Sequence, residues 1–166
     1  MSPNMKIGSG FDVHRFKEGR DLYLGGVKIP HIRGLDGHSD ADVLLHAICD
    51  ALLGALTLGD IGIHFPPSDA QYKDVSSVEL LKLVMGMVKG KGYTIGNLDC
   101  TVIAEEPKVM PYSKEIRKVI ADTVGANIGC VSLKATTTEG LGFTGRGEGI
   151  AATAVVLLKP LAGPKD

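Results

Sequence analysis

Apolar and polar positions alternate through GFDVHRF, residues 10–16, so that Phe11 and Val13 point to one side and Asp12 and His14 to the other, as side chains do on an extended strand. The pattern predicts a first strand near Lys6 to His14, with one face packed and the other carrying two potential ligands. In DLYLGGVKIP, two short apolar runs flank Gly25-Gly26, the signal of a hairpin turn. The period then changes: Leu44, Ile48 and Leu52 recur every four residues, predicting a helix from about Asp40 to Leu56, and a second helix follows over about Val78 to Lys91. TIGNLDCTVIA reads as a strand, YSKEIRKVIADTV as an amphipathic helix, VSLKAT as a strand and GIAATAVVLL as a closing strand. Such interleaving predicts an α+β fold in which helices cover one face of a mixed β-sheet. The other sheet face must find cover elsewhere, and self-association would supply it.

At 166 residues the chain is close to the roughly 150 residues of a one-domain prior. No repeat or long linker divides it, so 1–166 reads as a single domain with residues 1–5 as a flexible N-terminus. No apolar stretch is long enough to span a membrane. A net charge of −1 with both signs interspersed offers no footprint for nucleic acid or an anionic membrane. MSPNMKIG lacks the features of a secretory signal or a transit peptide. A cytoplasmic location is therefore expected, or the plastid stroma if a transit peptide has been removed. Cys49, Cys100 and Cys130 are odd in number, widely spaced and set among apolar residues, which fits buried free thiols rather than a disulfide framework or a CxxC zinc site.

A divalent ion held by Asp12 and His14 from the strand and by His46 from a packed helix would have three protein ligands and one open position. That is the arrangement of catalytic rather than structural zinc. Asp42 and Asp50, one turn either side of His46, are candidates to accept its second ring N–H. D-x-H is a weak pattern, however, and a lone helical histidine equally suits a satisfied core or surface residue. SDAD before the apolar run has the form of a capping box, which explains Ser39 and Asp42 without any function. His38, just ahead of it, lies where a helix start offers free N–H groups to phosphate. His31 and His64 carry only structural readings.

Further along, KATTTEGLGFTGRGEGIA places three threonines before Glu139 and four glycines within eight residues. Hydroxyls, backbone N–H groups, Lys134 and Arg146 are donors suited to phosphate, and Glu139 could hold a hard divalent ion. The order of a Walker A loop is missing; a Thr-rich strand end with a glycine loop is the alternative.

The blocks GSGFDVHRF, GHSDADVLLHAICDALLGALTLGDIGIHFPPSD, AEEPKVMP and KATTTEGLGFTGRGEGIA, in this order and over about Lys6 to Lys159, closely resemble the 2-C-methyl-D-erythritol 2,4-cyclodiphosphate synthase family of the non-mevalonate isoprenoid pathway. The resemblance implies a lyase in which Asp12, His14 and His46 bind zinc and Glu139 binds magnesium or manganese. It implies catalytic roles for His38 and Thr137. Substrate contacts are implied for Ser39, for Asp60, Ile61 and Gly62 at the ribose, and for Phe65, Ser68 and Asp69 in the following loop. Ala104, Lys108, Val109 and Met110 match the loop around cytosine, and Thr136 and Thr138 flank Thr137 at the diphosphate. The family is a homotrimer with active sites between subunits, and by analogy Phe143, Arg146 and Glu148 lie near a threefold channel where relatives accommodate an isoprenoid diphosphate.

The implied reaction converts 4-diphosphocytidyl-2-C-methyl-D-erythritol 2-phosphate to the cyclic diphosphate and CMP. One departure stands out. Pro67 occupies a position where many relatives have an acidic residue, so any contact by that carboxylate is lost. Two rival classes use the same residues: a zinc-dependent phosphohydrolase, and a non-catalytic trimeric module that binds cytidine nucleotides or isoprenoid diphosphates.

Overall fold

Strand alternation persists beyond His14: in a computed structural model, which describes residues 4–72 and 74–162, β1 spans Lys6–Glu18. Of the N-terminal segment 1–5, residues 1–3 lie outside the described residues. The chain continues through β2 (Leu22–Leu24), β3 (Val27–Ile29), β4 (Arg33–Leu35), α1 (Val43–Ala55), α2 (Ile61–His64), α3 (Ser77–Gly90), β5 (Tyr93–Ile103), α4 (Ser113–Val124), β6 (Val131–Thr136), α5 (Gly142–Gly145) and β7 (Gly149–Pro160). The main sheet has the order β4-β1-β7-β5-β6, and β2-β3 forms a separate hairpin. Within the main sheet β5 and β6 pair in parallel and every other neighbouring pair is antiparallel, so the fold is α+β with a mixed sheet as the interleaving predicted. The segment GLGFTGRG, read as a plain glycine loop, contains the short helix α5.

The start of α1 differs from the expected capping box. Asp42 is the N-cap, its Oδ1 accepting from Leu45 N at 3.1 Å, while the Ser39 hydroxyl accepts from Ala41 N at 3.1 Å. The reason lies in the β2–β3 turn. Gly25 and Gly26 have φ of 62° and 79°, the left-handed conformation that a two-residue hairpin turn requires. Their N–H groups donate to Asp42 Oδ1 and Oδ2 at 2.9 and 2.7 Å. One fully buried carboxylate thus fastens the hairpin to the helix and caps it. Burial pushes Asp42 up from the ordinary carboxylate range and Asp40 adds to this, against the downward pull of the three backbone N–H bonds.

Helix α1 buries ten of its thirteen residues and lies on β1 at backbone contact distance. A Cβ on Gly8 would stand 1.9 Å from Ala51 O, and one on Gly10 would stand 2.0 Å from Ala47 O. Two strand residues span about 6.7 Å and one four-residue helical step about 6 Å, so Gly8 and Gly10 match successive turns of α1. The next even position is Asp12, which meets His46. This contact also corrects the expected orientation of the strand. Even positions of β1, including Asp12 and His14, face the helices. The odd positions Ile7, Phe11 and Val13 lie on the uncovered side of the sheet, at 72, 58 and 43% exposure. Strand β7 behaves likewise: Ile150, Ala152, Ala154, Val156 and Leu158 are buried beneath the helices, and Val155 is exposed.

Cys49 and Cys100 are buried free thiols as expected, and burial pushes Cys100 up to about 12 and Cys49 higher still. Cys130 departs from the expectation in being only half-buried. Two outcomes follow from this packing. Gly10→Ala forces β1 and α1 apart and lowers unfolding free energy by about 3 kcal/mol, measured by urea denaturation. In native protein at pH 8 a chromogenic disulfide reagent labels Cys130, and the other two thiols react only after denaturation.

Candidate functional site

At the end of the β1–α1 contact, three donor atoms converge. Asp12 Oδ2 lies 3.0 Å from His14 Nε2 and 3.1 Å from His46 Nδ1, and the two ring nitrogens are 3.1 Å apart. Among the described residues Asp12, His14 and His46 are the one group of three or more His, Cys, Asp and Glu placed to hold a metal ion. The strand alternation sets the first two on one face, and the packing of Gly8 and Gly10 brings the third to them.

Both rings also have partners on their far sides. His14 Nδ1 is 2.6 Å from Asp36 O, and His46 Nε2 is 3.0 Å from Ser77 Oγ and 3.1 Å from Ser39 Oγ. A neutral imidazole donating outward to these oxygens turns its lone pair inward. Two such nitrogens and a carboxylate oxygen suit a borderline divalent cation. Burial pushes the Asp12 carboxyl up, but hydrogen bonds and charge from His14 and His46 outweigh it and hold the group well below the usual carboxylate range. Burial lowers His14, and Asp12 more than reverses this, leaving it raised. The carboxylate is therefore placed among groups that favour a positive partner.

Neither expected helical acceptor takes the His46 N–H. Asp42 is committed to the hairpin and cap, and Asp50 accepts from Ile61 N at 2.8 Å at the start of α2. Free backbone N–H groups of neighbouring turns draw both carboxylates away from the ring.

A cavity of about 240 Å³ opens on the triad and brings His38, Ser39, Ile61, Gly62 and Phe65 to it. Pro67, Tyr72 and Leu80 complete the lining, so Pro67 presents a ring where a carboxylate would reach in. Asp60 caps α2 by accepting from Ile63 N at 3.1 Å. Ser68 and Asp69 lie outside the lining, and Asp69 binds Gln71 through its backbone N–H and its side chain at 3.1 and 2.6 Å. His64 is half-buried rather than exposed, with Nε2 2.9 Å from Leu58 O. His31 stacks on Phe16 at 5.2 Å.

The remaining expected residues gather elsewhere. Ala104, Lys108, Val109, Met110, Thr136 and Thr137 line a second pocket of about 130 Å³. It forms because β5 and β6 are parallel, so the loops after both strands leave the sheet side by side, joined by Ala104 N donating to Thr136 O at 3.0 Å. Thr137 Oγ1 donates to Glu139 Oε1 at 3.3 Å. Sequence reasoning passed over Glu105, whose Oε1 accepts from Thr138 N and Gly140 N at 3.1 and 3.2 Å and braces this loop. The Thr138 hydroxyl donates within the loop to Leu141 O at 2.5 Å.

The two cations suggested as phosphate donors are paired with acids: Lys134 with Asp99, and Arg146 with Glu148 at 2.6 Å. Phe143 and Glu148 edge a broad depression of about 690 Å³ beside Val13 and Arg15, which lie on the uncovered sheet face. No residue lining the triad cavity also lines the Thr136–Thr137 pocket, so a single chain presents two separate pockets.

Fold and site together define an α+β protein in which two histidines and an aspartate, placed to hold a metal ion, open on a largely apolar cavity. The chain belongs to the YgbB family, which it matches over residues 5–159. It is 60% identical over 155 residues, 93% of this chain and 99% of the relative, to the 2-C-methyl-D-erythritol 2,4-cyclodiphosphate synthase of Syntrophomonas wolfei. Among solved structures it resembles the bifunctional IspDF of Campylobacter jejuni with a TM-score of 0.93 and 44% identity, over 96% of this chain and 43% of that one. It also resembles IspF of Plasmodium falciparum in its CDP complex, with a TM-score of 0.84 and 36% identity, over 98% of this chain and all of that one.

The donor set makes a direct prediction. Metal-free protein takes up one equivalent of Zn²⁺ per chain in calorimetric titration, and Asp12→Ala weakens that uptake by at least about 100-fold.

Proposed function

We propose that this chain is the cyclase that converts 4-diphosphocytidyl-2-C-methyl-D-erythritol 2-phosphate to 2-C-methyl-D-erythritol 2,4-cyclodiphosphate and CMP. The observation that carries the reading is the inward-facing Asp12, His14 and His46 donor set opening on the cavity that holds His38 and Ser39, in a chain of this family. An oxygen of the substrate's 2-phosphate attacks the β-phosphorus, and the bond from that phosphorus to the CMP oxygen breaks. The nucleophile is already an anion, so no protein base or nucleophile is required. The difficulty lies in bringing negative groups together.

Asp12, His14 and His46 would hold zinc, and Glu139 would hold magnesium or manganese. When bound, these ions neutralise and polarise the diphosphate. His38 and Ser39 contact the phosphates at the first centre. Thr137 donates to the oxygens that gain charge as the pentacoordinate phosphorus forms, assisted by Thr136. Asp60, Ile61 and Gly62 take the ribose and Phe65 packs beside it, while Ser68, Asp69 and Thr138 shape the loops around it. Ala104, Val109 and Met110 enclose cytosine, with Lys108 near the phosphates. Holding the ring-closing conformer supplies proximity.

The working unit in this reading is a homotrimer. Its support is the uncovered apolar face of Ile7, Phe11, Val13 and Val155 and the division of the site into two pockets on one chain. Packing three such faces together covers the sheet and sets the triad of one subunit beside Thr137 of its neighbour. The depression edged by Phe143, with Arg146 nearby, then faces the threefold axis and takes an isoprenoid diphosphate.

Phosphorus NMR with the cytidyl substrate and magnesium tests the reaction. Native protein gives CMP and a cyclic diphosphate, and Asp12→Ala gives neither. Orthophosphate in place of the cycle establishes the hydrolase, and binding without turnover the non-catalytic module. Shared sites are tested by mixing subunits. Asp12→Ala and Thr137→Ala chains, each inactive alone, recover about a quarter of native activity when assembled together at equal amounts.

A further inference from the structure

His46 depends on residues that lie outside the cavity's reacting surface. For its Nδ1, which faces Asp12 and His14, to offer a lone pair to a metal, a neutral ring must carry its proton on Nε2, and that proton needs an acceptor. Two hydroxyls are in range, Ser77 Oγ at 3.0 Å and Ser39 Oγ at 3.1 Å. A free hydroxyl can donate as readily as accept, and donation to Nε2 would favour the opposite tautomer, with a proton directed into the triad.

The surroundings of Ser77 remove that freedom. Ser77 is fully buried at the first position of α3, and its hydroxyl donates to Asp40 Oδ1. The same carboxylate accepts from Ser77 N at 3.0 Å and from Asp42 N at 3.2 Å. The loop carrying Asp40 is also tied to the start of α3, through Asp40 N to Val75 O at 3.3 Å and Asp74 N to His38 O at 2.9 Å. With its proton committed to Asp40, Ser77 turns a lone pair to His46.

We propose that Ser77 and Asp40 are positioning residues that fix the tautomer and orientation of His46 for metal binding, as a carboxylate–hydroxyl–imidazole chain running from the start of α3 to the donor set. The proposal rests on the metal-centre reading above. It also divides labour between the two serines. Ser39 Oγ accepts from Ala41 N and lines the cavity, where a ligand can reach it, whereas Ser77 lies outside that lining and acts only through His46. An imidazole whose outward N–H is held by a polarised hydroxyl is a stronger and better-oriented donor on its inward side.

The test compares native protein with Ser77→Ala, Asp40→Asn and the double variant. Zn²⁺ affinity is read by competition with a chromophoric chelator, the visible absorption of Co²⁺-loaded protein reports ligand geometry, and circular dichroism gives the melting temperature of the metal-free chain. Ser77→Ala is expected to weaken Zn²⁺ binding about tenfold, at the low end for outer-shell partners because Ser39 remains as an acceptor, and to alter the Co²⁺ bands. Asp40→Asn weakens binding by a similar or smaller factor, and the double variant matches Ser77→Ala alone because Asp40 acts through Ser77. Zn²⁺ affinity within twofold of native in Ser77→Ala, with a lower melting temperature or an unchanged one, overturns the proposal, as do additive losses in the double variant. Native protein that binds no Zn²⁺ overturns the metal-centre reading itself, and the positioning role with it.

Discussion

The backbone contact between β1 and α1 governs the position of everything chemical in this chain. Glycine at positions 8 and 10 leaves no side chain between strand and helix, so carbonyls of Ala47 and Ala51 come to where a Cβ would otherwise stand. Because the spacing of alternate strand residues nearly equals one helical step, the match continues to Asp12 and His46 without adjustment. The donor set is therefore a by-product of close packing rather than of a loop that must be ordered. Strand β1 lies inside the sheet, bonded along most of its length to β7, which gives the two strand ligands a rigid base.

A second layer of order comes from buried and half-buried carboxylates that join elements distant in sequence. Asp42 ties the hairpin turn to the start of α1, Asp40 ties the loop before α1 to the start of α3, and Glu105 ties the end of β5 to the loop after β6. Each accepts several N–H or O–H groups, the condition under which a buried charge is tolerable. Of the three, only Asp42 was expected to cap, whereas Asp40 and Glu105 brace the loops beside the two pockets.

Much of the fold was legible because its signals are local. The hairpin at Gly25-Gly26, the leucine spacing of α1 and the alternation in β1 each predict an element from adjacent residues. The motif blocks likewise pointed to Asp12, His14 and His46 before any geometry was known. What stayed hidden involves contacts across long separations. Ser77 meets His46 from 31 positions away and Asp40 from 37, and Glu105 meets Thr138 from 33. Alternation could not tell which face of β1 would be covered, since Phe11 and Val13 look like the packed side until Gly8 and Gly10 are seen to admit the helix. The capping box failed for a related reason: Asp42 had a stronger claim, from a turn that no local rule connects to it.

The parallel pairing of β5 with β6 has a consequence for how such a chain can diverge. Both loops that leave these strands emerge at one end of the sheet, joined by the Ala104 N to Thr136 O hydrogen bond and by the Glu105 carboxylate. Substitutions at the exposed members there, such as Lys108 and Met110, change the shape of the second pocket without disturbing the strand that carries Asp12 and His14. Ligand preference at this pocket and the chemistry of the Asp12, His14 and His46 donor set are thereby separable traits, open to independent selection on one scaffold.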